Sequence, residues 1–228
     1  MDKKLNAKAY RRIFFLFGIL YATVPIIIAE ISWDSVMKII GFKAGLLREI
    51  VESFFRAALL EESFKFFGFM MANKEYHFSN EKEYMLGAGM IGLAYGIIEK
   101  IASGNLMAII LGIIFPMHLI WQMNQGRHYF KYTRAKEEND SKTAKKEFFL
   151  ATLFIFLLHG CWDSLISLVS YLADSNKFAS ADAIGGILLI FTILFGIIYV
   201  VISVIKIRKV LKAYKNSSDE NKTIEKGE

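Results

Sequence analysis

The apolar residues of this chain fall in blocks, and the blocks have the length of a membrane crossing. A helix needs roughly 17–25 predominantly apolar residues to cross the hydrocarbon core of a bilayer. Residues 13–29, 46–71, 84–102, 106–123, 148–172 and 184–205 each read as such a block. The expected fold is therefore all-α: a polytopic transmembrane helix bundle of about six spans, forming one integral membrane domain over residues 1–228. With 54% hydrophobic residues and a mean hydropathy of +0.37, the composition is too apolar for an ordinary soluble domain. Residues 30–45 are mixed and carry Trp33, which suits a helix at the membrane interface. Residues 206–228 read as a charged cytoplasmic tail, disordered at its end.

The formal charge is +6, but the basic residues flank the apolar blocks, so the charge points to membrane orientation and no nucleic-acid partner is expected. With the N-terminus inside, the inner segments hold 21 Lys and Arg against four in the outer ones. Six spans with both termini in the cytoplasm follow from that bias. The basic start, Lys3 to Arg12, leads into an apolar run long for a signal peptide, so it is read as an anchor. The single cysteine, Cys161, excludes an internal disulfide and a cysteine metal cluster.

Once the spans are drawn, the ionisable residues inside them are few: Glu61, Glu62, Lys65, Glu99, His118, His159 and Asp163. Ionisable groups at membrane depth are costly and mark functional sites by default. At 100° per residue Glu61 and Lys65 share a helix face, with Glu62 beside them. Glu99 lies on a stripe with Ala88, Gly92 and Gly96, small residues that let another helix approach closely. Glu99 itself is expected nearer the outer side, joining the others only if its span is tilted. His118 shares a stripe with Gln122 and Gln125, and Pro116 is expected to kink that helix. His159 and Asp163 stand one turn apart, so both can face one ligand, or Asp163 can orient the imidazole. Each feature alone has a structural explanation: an ion pair, a helix–helix hydrogen bond, a packing stripe. Four helices each contributing such a residue at similar depth make those separate explanations less economical than one shared cavity. His77 and His128 fall in loops and are given no role.

In this order the pieces resemble the PrsW-type family of intramembrane proteases and, more distantly, the CAAX-prenyl-protease and bacteriocin-immunity superfamily. The resemblance rests on Glu61-Glu62-x-x-Lys65, the glycine-rich Gly87 to Glu99, His118 with Gly126 eight residues on, and His159-Gly160-Cys161-Trp162-Asp163. Phe66 and Asp163 stand where the prenyl-protease branch tends to have Arg and Asn, which favours the PrsW side. Two departures stand out: Lys100 where the family often has Asn, and no arginine upstream of His118. The resemblance implies an intramembrane endopeptidase working in the lipid bilayer on a single-pass membrane protein, in the family's usual case a regulator of the anti-sigma-factor type.

Physically, two adjacent carboxylates beside one cation can divide into a general base and an ion-paired orienter. One of Glu61 and Glu62 is thus expected to activate a water. His118 and His159 would position the water and stabilise the oxyanion, Asp163 would fix His159, and Lys65 and Glu99 would support. A zinc version gives the metal to His118, His159 and a carboxylate, with one open position. The sequence leaves zinc and metal-free hydrolysis open. The competing class is a non-catalytic membrane protein, such as a transporter, proton relay or immunity factor, that uses the same cavity; no internal repeat of the transporter kind is found.

Overall fold

The computed structural model describes residues 7–41, 45–102, 116–174 and 179–226, and among these no strand occurs. The first rod is continuous from α1 (Ala7–Phe17) through a π-helical stretch π1 (Gly18–Thr23) into α2 (Val24–Ile40). Pro25 sits at the start of α2, directly after the wider π turns, where its missing N–H is accommodated. The rod ends on Gly41, whose φ of +73° and N–H bond to the Lys38 carbonyl make a glycine C-cap. Residues 30–40 thus continue the first helix rather than form a separate interfacial one.

The second block is helical from α3 (Leu46–Glu52) through π2 (Ser53–Leu60) to α4 (Glu61–Tyr76), and a short link leads to α5 (Glu81–Ala102). The first part of the fourth expected span, residues 106–115, lies outside the described residues. Helix α6 (Met117–Glu137) begins just after Pro116, so the proline stands before the described helix rather than inside it.

The segment 127–147, expected as a loop, is a helical hairpin. α6 runs on to Glu137, Asn139 adopts a positive φ of 59°, and Asp140 caps α7 (Ser141–Ala151) by accepting the Thr143 N–H at 3.0 Å. α7 folds back on α6 through Gln125 Nε2, which donates to the Ala151 carbonyl at 2.9 Å, and through His128 Nδ1 facing Glu147 Oε2 at 2.7 Å. Burial holds the His128 imidazole below its ordinary pKa, although Glu147 pulls it upward. Thr152 breaks the path before α8 (Leu153–Asp174). α9 (Ala179–Lys226) carries the helix through the region expected as a disordered tail.

Among the described residues four helical stretches are long and apolar enough to cross a membrane: Arg12–Ile40, Glu81–Ala102, Ser141–Val169 and Ile190–Ala213. The expected span 46–71 is helical but falls outside this set because it carries Arg48, Glu49, Glu52, Arg56, Glu61, Glu62 and Lys65. Ile31, Ile39, Leu20 and Phe191 present large apolar surfaces outward, as lipid-facing side chains do.

What positions the site is the contact between α5 and α6. The small-residue stripe faces α6, as the sequence suggests. A Cβ on Gly92 would strike the His118 carbonyl and come within 2.5 Å of Gln122 Cγ. Gly126 answers from α6: its Cβ would strike the Tyr84 carbonyl and lie 2.8 Å from Ala88 Cβ. The two backbones therefore run nearly in contact, which only residues without a side chain permit. Below this contact an aromatic core of Phe14, Phe69, Phe78, Tyr84 and Tyr129 locks α1, α4, α5 and α6 together.

A methyl group at either glycine must push the two helices apart. Gly126→Ala and Gly92→Ala are each expected to destabilise the protein by about 1–3 kcal/mol. Gly96→Ala should cost less, since its Cβ would meet only the His118 ring, 3.2 Å away. Thermal unfolding in detergent measures this; a Gly126→Ala protein melting with the parent would refute the close approach.

Candidate active site

Glu61 and Glu62 open α4, immediately after the π2 turns, and Lys65 follows one α-turn later. Lys65 is fully buried, at 0% exposure, and both glutamates are buried. A lone ammonium could not persist there, and the hydrogen bonds show how it is held. Lys65 Nζ donates to Glu61 Oε2 at 3.0 Å and to Glu62 Oε1 at 2.9 Å, and its third partner is His118 Nδ1 at 3.0 Å. The Tyr95 ring from α5 lies under the ammonium, 4.0 Å from Nζ to the ring centroid.

This arrangement fixes the His118 tautomer. An ammonium has only protons to offer, so Nδ1 must present its lone pair. The proton then sits on Nε2, which faces Glu99 Oε2 at 2.8 Å. Glu99 also accepts from Lys100 at 3.0 Å. Glu99, expected to need a tilted or offset span, therefore belongs to the cluster, because the glycine contact brings α5 and α6 together at this level. Lys100, a departure from the family pattern, serves as its counter-charge.

His159 meets a carboxylate at each ring nitrogen: Nδ1 lies 2.8 Å from Glu62 Oε1 and Nε2 3.1 Å from Asp163 Oδ2. Two acceptors are satisfied by an imidazolium or by one proton shared with a carboxylate. Trp121 covers His159 with ring centroids 4.6 Å apart, and the two histidine rings are 5.3 Å apart.

The structure thus brings together Glu61, Glu62, Lys65, Glu99, His118, His159 and Asp163. It adds Gln122, fully buried, whose Nε2 donates to Glu62 Oε2 at 2.6 Å. Gln122 stands one turn after His118 on the same polar stripe, which was the available signal. Tyr95 and Trp121, which line the ammonium and His159, carry no such signal, since aromatic residues in apolar helices usually pack.

The two glutamates are not equivalent. Glu62 accepts from Lys65 and His159 at Oε1 and from Gln122 at Oε2. Glu61 accepts only from Lys65, at Oε2, among the described residues. Glu62 is therefore fixed by its neighbours, while Glu61 keeps an oxygen free to take a proton.

One ligand atom from each of Glu61, His118 and His159 lies within 4.8 Å of the others. The residue types suit zinc, and Glu99 and Asp163 hold the outer ring nitrogens as outer carboxylates do in zinc centres. The arrangement does not suit it. A bound metal needs an unprotonated nitrogen turned toward it, yet His118 Nδ1 is taken by Lys65 and both His159 nitrogens face carboxylates.

A helical membrane bundle around a carboxylate–histidine centre is the class that this fold and cluster define. The chain belongs to the PrsW family: the family described as "PrsW family intramembrane metalloprotease" matches residues 8–184. It is 30% identical to Protease PrsW of Oceanobacillus iheyensis over 51% of this chain and 54% of that protein. It is 26% identical to Protease PrsW of Clostridioides difficile over 67% of this chain and 65% of that protein. The chain therefore spans less than two thirds of the length of these relatives. No solved structure matches it significantly.

The asymmetry of the glutamates has a stability signature. Glu62→Ala removes an acceptor from Lys65, His159 and Gln122 together and should cost about 3–5 kcal/mol, the range for breaking a buried ion pair. Glu61→Ala leaves Lys65 paired with Glu62 and should cost clearly less. Unfolding of the two variants in detergent compares them directly; equal losses would contradict the asymmetry.

Proposed function

We propose that this protein is an intramembrane endopeptidase that hydrolyses a peptide bond of a single-pass membrane protein with a water activated by Glu61. The observation that carries the reading is the grouping of Glu61, His118 and His159, with one ligand atom of each within 4.8 Å of the others, and with Glu61 the member of the adjacent pair that keeps an oxygen without a partner among the described residues. The second oxygen of Glu61 is the one that a water would meet at ordinary hydrogen-bond length.

The chemistry follows from that placement. Glu61 takes a proton from the water as its oxygen attacks the peptide carbonyl carbon. The carbonyl electrons move onto the oxyanion, which the buried Lys65 charge stabilises through space. As the intermediate collapses, the C–N bond breaks and Glu61 returns its proton to the leaving amine. Glu62 acts as the positioning residue, tying Lys65, His159 and Gln122 to one carboxylate. Asp163 and Glu99 orient the two imidazoles from behind. No step passes through a metal, because the ring nitrogens that it would need are engaged.

The bilayer is the working medium, and the charge bias of the polar segments supports both termini on the cytoplasmic side of one membrane domain. The relatives, named as proteases, support the reaction class. A membrane-anchored regulator of the anti-sigma-factor type is the substrate that the family resemblance suggests.

The test is cleavage of a single-pass reporter by the purified chain in lipid. Glu61→Gln is expected to lower turnover by about 10²–10⁴-fold, the usual contribution of a general base. His159→Ala should also reduce it, and a chelator should not. Full cleavage by the Glu61→Gln protein would sink the assignment, and ion flux through the reconstituted protein without cleavage would favour a transport role.

A further inference from the structure

We propose that Lys65 is the site's resident cation and stands where a divalent metal would bind, so that this one side chain keeps metal out of the cluster. The three atoms that hold its ammonium are two carboxylate oxygens and an imidazole nitrogen, at 3.0, 2.9 and 3.0 Å. These are the ligand types of a His–Glu metal site. The Tyr95 ring closes the remaining side at 4.0 Å, and the side chain is fully buried, so the ammonium has no water to retreat to along its own path.

An ammonium and a metal cannot share these atoms. The ammonium is satisfied by contacts near 3 Å, whereas zinc draws its oxygen and nitrogen ligands in to about 2.0–2.2 Å. Every proton of the ammonium is already spent, one on each partner, so occupation is complete rather than partial. The remainder of the cluster is otherwise disposed toward a cation. Glu99 and Asp163 hold the outer nitrogens of His118 and His159, which leaves Nδ1 of both rings turned inward. Without the ammonium, Glu61 and Glu62 would be buried carboxylates lacking their counter-charge, facing a freed imidazole lone pair. That is an environment with a strong demand for a cation.

The experiment measures metal binding to the purified full chain in detergent, by zinc stoichiometry and by the cobalt(II) ligand-field spectrum. Lys65→Met keeps the apolar stem and removes the charge. It is expected to bind one equivalent at least about tenfold more tightly than the parent, since a charge-assisted hydrogen bond no longer competes for each ligand. Lys65→Arg, which keeps the charge, should bind as weakly as the parent. Adding His118→Ala to Lys65→Met should abolish the gain. Binding by Lys65→Met no tighter than by the parent overturns the proposal. So does one tightly held equivalent in the unmutated chain, a measurement that needs no variant to fold. The proposal concerns the same cluster as the hydrolytic reading but does not rest on hydrolysis: a chain that cleaves its reporter with zinc tightly bound would refute this inference and leave the protease reading standing.

Discussion

The structure turns on one buried cation. Lys65 is fully enclosed by protein, and nothing but its partners can make that tolerable. Glu61 and Glu62 come from its own helix, so local sequence supplies two of the three hydrogen bonds. The third comes from His118, on α6, and the aromatic face from Tyr95, on α5. The ammonium therefore demands that α4, α5 and α6 meet at one level. The glycines of α5 and α6 make that meeting possible, because Gly92 and Gly126 let the backbones touch. The pairing and the close packing depend on each other: without the glycines His118 would stand back from Lys65, and without Lys65 the close contact would enclose unpaired carboxylates.

From this centre the hydrogen bonds extend in both directions as one chain. It runs from Lys100 through Glu99 and His118 to Lys65, then through Glu62 and His159 to Asp163. The cations Lys100 and Lys65 are each followed or flanked by a carboxylate, His118 is neutral by the tautomer argument, and His159 bridges the carboxylates of Glu62 and Asp163. Each interior member is held on both sides, as buried polar networks need to be if they are to define one conformation rather than several. Glu61 branches from the chain at Lys65 and, unlike Glu62, holds that one partner alone among the described residues. Of the two adjacent glutamates, the network therefore leaves an oxygen open at Glu61.

Much of this was legible in the sequence, and the parts that were not have physical reasons. The all-helical class followed from block lengths, and the seven ionisable residues were found by their cost in apolar surroundings. The stripe of Ala88, Gly92 and Gly96 correctly announced a close helix contact. The limits lay where one-dimensional patterns lose their meaning. Residues 127–147 read as a loop because they are charged, yet charge is equally at home on a helical hairpin with a capped turn at Asp140. The span 46–71 carries seven ionisable residues and holds its course through partners that composition does not display. The phase of α3 against α4 could not be extrapolated at 100° per residue, because π2 lies between them. Glu99 reads as joining the cluster only through a tilted or offset span, and the glycine contact of α5 with α6 brings it to His118.

The choice between the two glutamates illustrates what the fold adds to the motif. In sequence Glu61 and Glu62 are neighbours of identical chemistry, and both reach Lys65. Their difference is created by other helices: α8 sends His159 and α6 sends Gln122, and both choose Glu62. A carboxylate that accepts from an ammonium, an imidazole and an amide has both oxygens engaged. One that accepts from the ammonium alone retains an acceptor for the next proton donor that arrives. In the proposed mechanism the less firmly held side chain is thus the one that reacts, while the firmly held one keeps the surrounding charges in place.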